Sequence, residues 1–170
     1  LHLQISLGER KVPVHEVIDW IVFPTSLRNI ILELGIVNKE RLLVENAVPD
    51  SDFYKNLSKL ENLVTFSFSA NFPYLESYLM LEKVLEYLPR TVEKLNLATF
   101  GNIKGRLGPW EGKRALFSIS KNFPKLKSLG FNMWSAKFSN LEEPIDNAFP
   151  VLEELLINTN LITPSILLNP

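Results

Sequence analysis

Cysteine is absent from the 170 residues. That removes disulfide frameworks, thiolate zinc sites and cysteine nucleophiles together, and it is compatible with a reducing, cytoplasmic or nuclear setting. Histidine is nearly as scarce: His2 and His15 are too few, and too near one end, for a metal cluster. No apolar run reaches the roughly 18–20 residues that span a bilayer, so no membrane partner is expected. The net charge of −1 gives no global pull toward nucleic acid or an anionic surface. Leu1 is neither an initiator Met nor the start of a signal-peptide pattern. The chain opens in mid-pattern, as a piece of a longer polypeptide would.

Glycine is also sparse, and its placement is uneven. Of seven glycines, four fall in "LATFGNIKGRLGPWEGKR", residues 97–114. A phosphate loop needs Gly, four residues, Gly-Lys and then a hydroxyl for magnesium. Here only three residues separate Gly108 from Gly112-Lys113, and Arg114 stands where the hydroxyl belongs. The dinucleotide fingerprint fails too, since Gly101, Gly105 and Gly108 have the wrong spacing. The segment reads as a turn after a strand ending at Leu97, with Pro109 opening the next helix in its first turn. No cofactor is implied.

What the chain does have is one domain's worth of residues, 46% of them hydrophobic, in a recurring phrase. An apolar residue, two others, an apolar, one other and an apolar recur five times. The triplets are Leu27/Ile30/Leu32, Leu63/Phe66/Phe68, Val92/Leu95/Leu97, Leu126/Leu129/Phe131 and Leu152/Leu155/Ile157. Leu3 and Ile5 read as the tail of an earlier copy. The last two positions of each triplet lie two apart, the period of a strand with one buried face. Between triplets the spacing turns helical, most clearly in "YLESYLMLEKVLEYL". There Leu75, Tyr78, Leu79, Val84, Leu85 and Leu88 share one face, with Pro73 before and Pro89 after. "HEVIDWIVF", "DFYKNLSKL" and "WEGKRALFSISKNF" are weaker helical stretches. One strand and one helix per copy predict an α/β stack of parallel strands.

The phrase resembles the leucine-rich repeat family in its long, irregular form, as in ribonuclease-inhibitor-like and F-box proteins, over nearly the whole chain 1–170. The resemblance implies a curved solenoid of about five and a half repeats, with a parallel concave sheet and convex helices. It also implies a non-enzymatic protein–protein interaction module, such as the substrate-reading repeats of an F-box-like ubiquitin-ligase receptor or a scaffold subunit. Family members usually carry Asn or Cys eight residues after the first apolar position. Asn71 and Asn160 fit, whereas Gly8, Gly35, Phe100 and Trp134 stand elsewhere, so the turns should differ between copies. "VPVHEVIDWIVFP" loosely echoes the opening of an F-box, but it lies between two strand copies and reads as the helix of the first one.

Candidate chemistry is thin. Glu142, Glu143, Asp146, Glu153 and Glu154 flank core patterns as a solvated face would, and no serine sits in a nucleophile-elbow context. Residues 90–137 carry ten Lys/Arg against Glu93 and Glu111, while both flanks are acidic. That band is a candidate dock for an acidic or phosphorylated partner, with nucleic acid as the alternative. Partner-binding candidates on the concave strands are Lys94, Asn96, Ser128, Asn132, Glu154 and Asn158. On the rim and band they are Arg106, Trp110, Lys113, Arg114 and Trp134. The chain is expected to work within a larger chain or complex.

Overall fold

A computed structural model of the protein describes residues 1–7, 18–19, 21–36, 51–71, 76–99, 110–133, 136–137 and 149–158. The strands are β1 (His2–Leu7), β2 (Asn29–Ile36), β3 (Thr65–Asn71), β4 (Lys94–Thr99), β5 (Trp110–Glu111), β6 (Ser128–Met133), β7 (Ala136–Lys137) and β8 (Glu154–Asn158). Three helices intervene: α1 (Asp52–Ser58), α2 (Glu76–Tyr87) and α3 (Gly112–Asn122). Six strands form one parallel sheet in the order β1-β2-β3-β4-β6-β8. Strand order follows chain order, so each connection steps to the adjacent position. The fold is α/β.

The register lines up the sequence triplets without a slip. One row runs Ile30, Phe66, Leu95, Leu129, Leu155, and the next runs Leu32, Phe68, Leu97, Phe131, Ile157. In both rows the β2, β3, β4 and β6 members are at most 2% exposed. The helices cover this face: Phe53, Tyr54 and Leu57 from α1, Met80, Leu81, Val84 and Leu85 from α2, and Leu116 and Ile119 from α3 are buried in the same core. Each such side chain contributes about 1.5–3 kcal/mol by leaving water. Parallel sheets usually have both faces covered, and their strands then read as continuous apolar runs. These strands alternate instead, because the other face is open to solvent along its rows.

Five of the six strands of the large sheet, β2, β3, β4, β6 and β8, are entered in the same way. A turn closes with an amide bonding the carbonyl three residues back: Leu27 to Pro24, Leu63 to Leu60, Val92 to Pro89, Leu126 to Phe123 and Leu152 to Phe149. The next carbonyl along then accepts two amides from the following segment. Arg28 takes those of Val64 and Thr65, Val64 takes Glu93 and Lys94, Glu93 takes Lys127 and Ser128, and Lys127 takes Glu153 and Glu154. These paired bonds pin the register before the ladder begins. The start of α1 is fixed across segments as well. Ser51 caps it by accepting from the Phe53 amide at 3.2 Å, and the Ser51 hydroxyl donates to the Asp19 carboxylate.

Four expectations change. Leu3 pairs with Leu32 and Ile5 with Leu34, two residues further along than the triplet alignment placed them. The counterpart of Gly35 in the first copy is therefore Ser6, not Gly8. A shift of two keeps every side chain on its face, which is why periodicity alone did not detect it. Pro109 is not in the first turn of α3, which starts at Gly112. Trp110–Glu111 instead forms β5, paired in parallel with Ala136–Lys137. The buried side of α2 includes Met80 and Leu81 beside Val84 and Leu85. Leu75 and the side chains of Tyr78 and Leu79 lie outside the described residues, as do most of "HEVIDWIVF" and residues 100–109.

Candidate functional site

The solvent face of the sheet is built from the residues between the core positions, and the register arranges them in three rows. They run Asn29, Thr65, Lys94, Ser128, Glu154; then His2, Ile31, Ser67, Asn96, Gly130, Leu156; then Gln4, Glu33, Ser69, Ala98, Asn132, Asn158. Of the candidates read from sequence, Lys94, Asn96, Ser128, Asn132, Glu154 and Asn158 come together here on three adjacent strands. Trp110, Lys113 and Arg114 belong instead to β5 and the first turn of α3. Arg106 and Trp134 lie outside the described residues.

The centre of this face is fitted around one amide. A Cβ added at Gly130 would sit 2.5 Å from Asn96 Oδ1, so the Asn96 side chain occupies the space that a larger residue would fill. From there Asn96 Nδ2 donates to Ser67 Oγ at 3.4 Å. Toward the β8 side the Ser128 hydroxyl donates to Glu154 Oε2 at 2.8 Å. Asn132 Oδ1 is buried without a hydrogen-bond partner among the described residues. At the β1 end His2 and Glu33 approach to 3.7 Å, an exposed pair that is charged on both sides only when the imidazole is protonated. Two apolar side chains stand out in the middle row, Ile31 and Leu156, the latter 66% exposed.

A second constellation was not picked out by sequence reasoning. The residues immediately ahead of β2, β3, β4, β6 and β8 are Arg28, Val64, Glu93 and Lys127, at the paired-acceptor carbonyls, and Glu153 at the matching position. Apart from Val64 their charges alternate in sign across the sheet. Lys127 Nζ and Glu93 Oε2 are 2.8 Å apart. That hydrogen bond and charge hold the Glu93 carboxyl below its usual range, with Lys125 and Arg28 adding to the effect. In return Glu93 raises the Lys127 ammonium, and Glu153 raises it further. The signal was available, since each residue follows the first apolar position of its triplet by one. Of the cations in the basic band, Lys127 pairs with Glu93, Lys94 lies on a row of the open face, and Lys113 and Arg114 lie in the first turn of α3.

No family model, curated protein or solved structure matches this chain. The chemistry must therefore be read from the residues themselves. No group of three or more His, Cys, Asp or Glu side chains suited to a metal ion occurs among the described residues. Ser51 is the one buried polar residue of the core among the described residues, and its hydroxyl meets a carboxylate. Its role is to cap α1, and no imidazole accompanies it among the described residues. Tyr54, pushed up to about 12 by burial and then by Asp19, stays protonated and packs edge-on against Phe53 and stacked on Tyr87. No helix among the described residues is long and apolar enough to cross a membrane.

Proposed function

We propose that the protein is a non-enzymatic recognition module, a leucine-rich-repeat type solenoid of about five and a half repeats that binds a protein partner on the concave side of its sheet. One observation carries this reading: a parallel sheet whose face away from the three described helices is laid out as a grid of mostly small, polar, exposed or half-buried side chains. Such a face exposes backbone-level shelves that an ordered partner segment can follow, with Lys94, Asn96, Ser128 and Glu154 offering charge and hydrogen bonds at fixed spacing. Flanking Ile31 and Leu156 add apolar contact at either side of the row, where desolvation supplies more affinity than exposed polar pairs do. A substrate-reading subunit of a ubiquitin ligase or a scaffold subunit is the use this reading favours, in the cytoplasm or nucleus.

Site-specific photocrosslinking tests it. A crosslinking residue placed at Ser67 or Asn96 should capture one defined partner from the native setting. The same residue at Glu82, on the exposed side of α2, should not. Adducts formed equally from Glu82, or from neither position, would exclude the open face as the recognition surface. Binding that falls steeply with salt, and no further with Asn96→Ala, would favour a phosphate-bearing or nucleic-acid ligand instead.

A further inference from the structure

The last described strand, β8, leaves its outer edge unpaired among the described residues. Its core-row side chains, Leu152, Leu155 and Ile157, are only partly buried, while their counterparts Leu126, Leu129 and Phe131 are each 1% exposed. An open edge with an incompletely covered apolar row is a site for strand addition. The bonding pattern says which groups are on offer. Each strand's solvent-face residues pair back to the preceding strand, so the groups of β8 that point away from β6, without a partner among the described residues, are the amides and carbonyls of Leu155 and Ile157. The Glu153 carbonyl lies ahead of them, in the position where Arg28, Val64, Glu93 and Lys127 each accept two amides.

Charge identifies the occupant. At this level the sheet reads Arg28, Val64, Glu93, Lys127, Glu153, and each charged step from Glu93 onward is answered by the opposite sign on the next strand. Glu153 ends the series as an exposed acid, with Glu154 beside it. The β1 edge offers no such ladder, only His2 opposite Ile31 and near Glu33.

We propose that the β8 edge binds an extended segment of a partner protein, parallel to β8, of the form basic–x–apolar–x–apolar. The basic residue lies opposite Glu153 and the apolar residues opposite Leu155 and Ile157. This surface is distinct from the open face, so the two assignments stand or fall separately. The chain's own Lys127–Ser128–Leu129–Gly130–Phe131 has that form, and it supplies the probe.

A fluorescein-labelled peptide of sequence KLKSLGFN, residues 125–132, is titrated with the 170-residue protein and read by anisotropy. Saturable binding is expected. N-methylation at the peptide's Ser and Gly amides, which would donate to β8, should abolish it. N-methylation at its second Leu and its Phe, whose amides face away, should change it less than twofold. Replacing the second peptide Lys by Glu should weaken binding about two- to fivefold, the size of one exposed ion pair. Glu153→Lys in the protein should restore that loss, and Lys94→Ala on the open face should leave binding unchanged. Absence of saturable binding, equal effects of the two methylations, or indifference to Glu153→Lys would each overturn the proposal. So would concentration-dependent self-association that Glu153→Lys removes, since the edge would then belong to a second copy.

Discussion

Truncating Leu129 to alanine reads out both the register and the covering of the sheet. Leu129 is 1% exposed at the middle of the row Ile30–Phe66–Leu95–Leu129–Leu155. Loss of three carbons forfeits roughly 2.4 kcal/mol at about 0.8 per methylene. A cavity of about 50 Å³ left by incomplete relaxation adds about 1 kcal/mol. The expected loss is therefore about 3–4 kcal/mol, and Leu95, at 2% exposure, should lose about the same. Leu155 is identical in chemistry and one strand further along, but its outer side has no neighbouring strand among the described residues. Leu155→Ala should cost only about 1–2 kcal/mol, because less area leaves water and the gap opens to solvent. Lys94→Ala, exposed on the other face, should stay within about 0.5 kcal/mol. Urea denaturation followed by far-ultraviolet circular dichroism measures all four. Equal losses at Leu155 and Leu129 would refute the open edge, and equal losses at Lys94 and Leu129 would refute the strand register.

Other perturbations test separate parts of the structure. Gly130→Ala should cost under about 1 kcal/mol by urea titration, because the group it displaces is the tip of an exposed side chain; combined with Asn96→Ala it should be neutral or stabilising. Ser51→Ala should cost about 1–2 kcal/mol by the same assay, through loss of the α1 cap and of the hydrogen bond to Asp19. Glu93, held below its ordinary 4.5, stabilises above that pH and loses the contribution as pH falls through its lowered value; Lys127, held above 10.5, stabilises below that pH and loses it as pH rises further. Lys127→Met should therefore lower the plateau between the two limbs of the stability–pH curve slightly, flatten part of both limbs, and leave the acid and alkaline extremes little changed. Tyr54 should titrate near 12 by ultraviolet absorbance, and its burial should make stability fall as pH rises from 10 toward 12.

Much of the fold was legible because two periods compete clearly in this chain. Alternation at Leu63, Phe66 and Phe68 or at Leu126, Leu129 and Phe131 admits only one buried face, and the register confirms these positions row by row. The α1, α2 and α3 helices fall within three stretches with helical spacing. What escaped were features with no period of their own. The two-residue offset of β1 preserves the inside–outside pattern, so only the hydrogen-bond partners reveal it. The β5–β7 pairing depends on bringing residues 110 and 136 together, and a two-residue strand leaves no alternation to read. Met80 was passed over because the stripe was centred one position away, although a helix packed against a sheet and another helix buries a wide arc.

The candidate site divides along the same line. Which residues face solvent from the strands follows from parity, so Lys94, Asn96, Ser128, Asn132, Glu154 and Asn158 were assigned correctly to one surface. Which of them are engaged does not follow from parity. That Asn96 lies over Gly130 depends on the absence of a side chain one strand away, and a glycine in a strand reads in sequence only as a weak point. Summed along the chain, residues 90–137 look like a single patch, but the described elements place Lys94, Lys127, Lys113 and Arg114 on different parts of the fold. Lys94 goes to the open face, Lys127 to a carboxylate on the next strand, and Lys113 and Arg114 to the start of α3. Charge counted along the chain measures a surface only where the chain stays on that surface. In this fold the count at the strand entrances runs across strands, at constant register, and there it gives alternation ending in the acid Glu153.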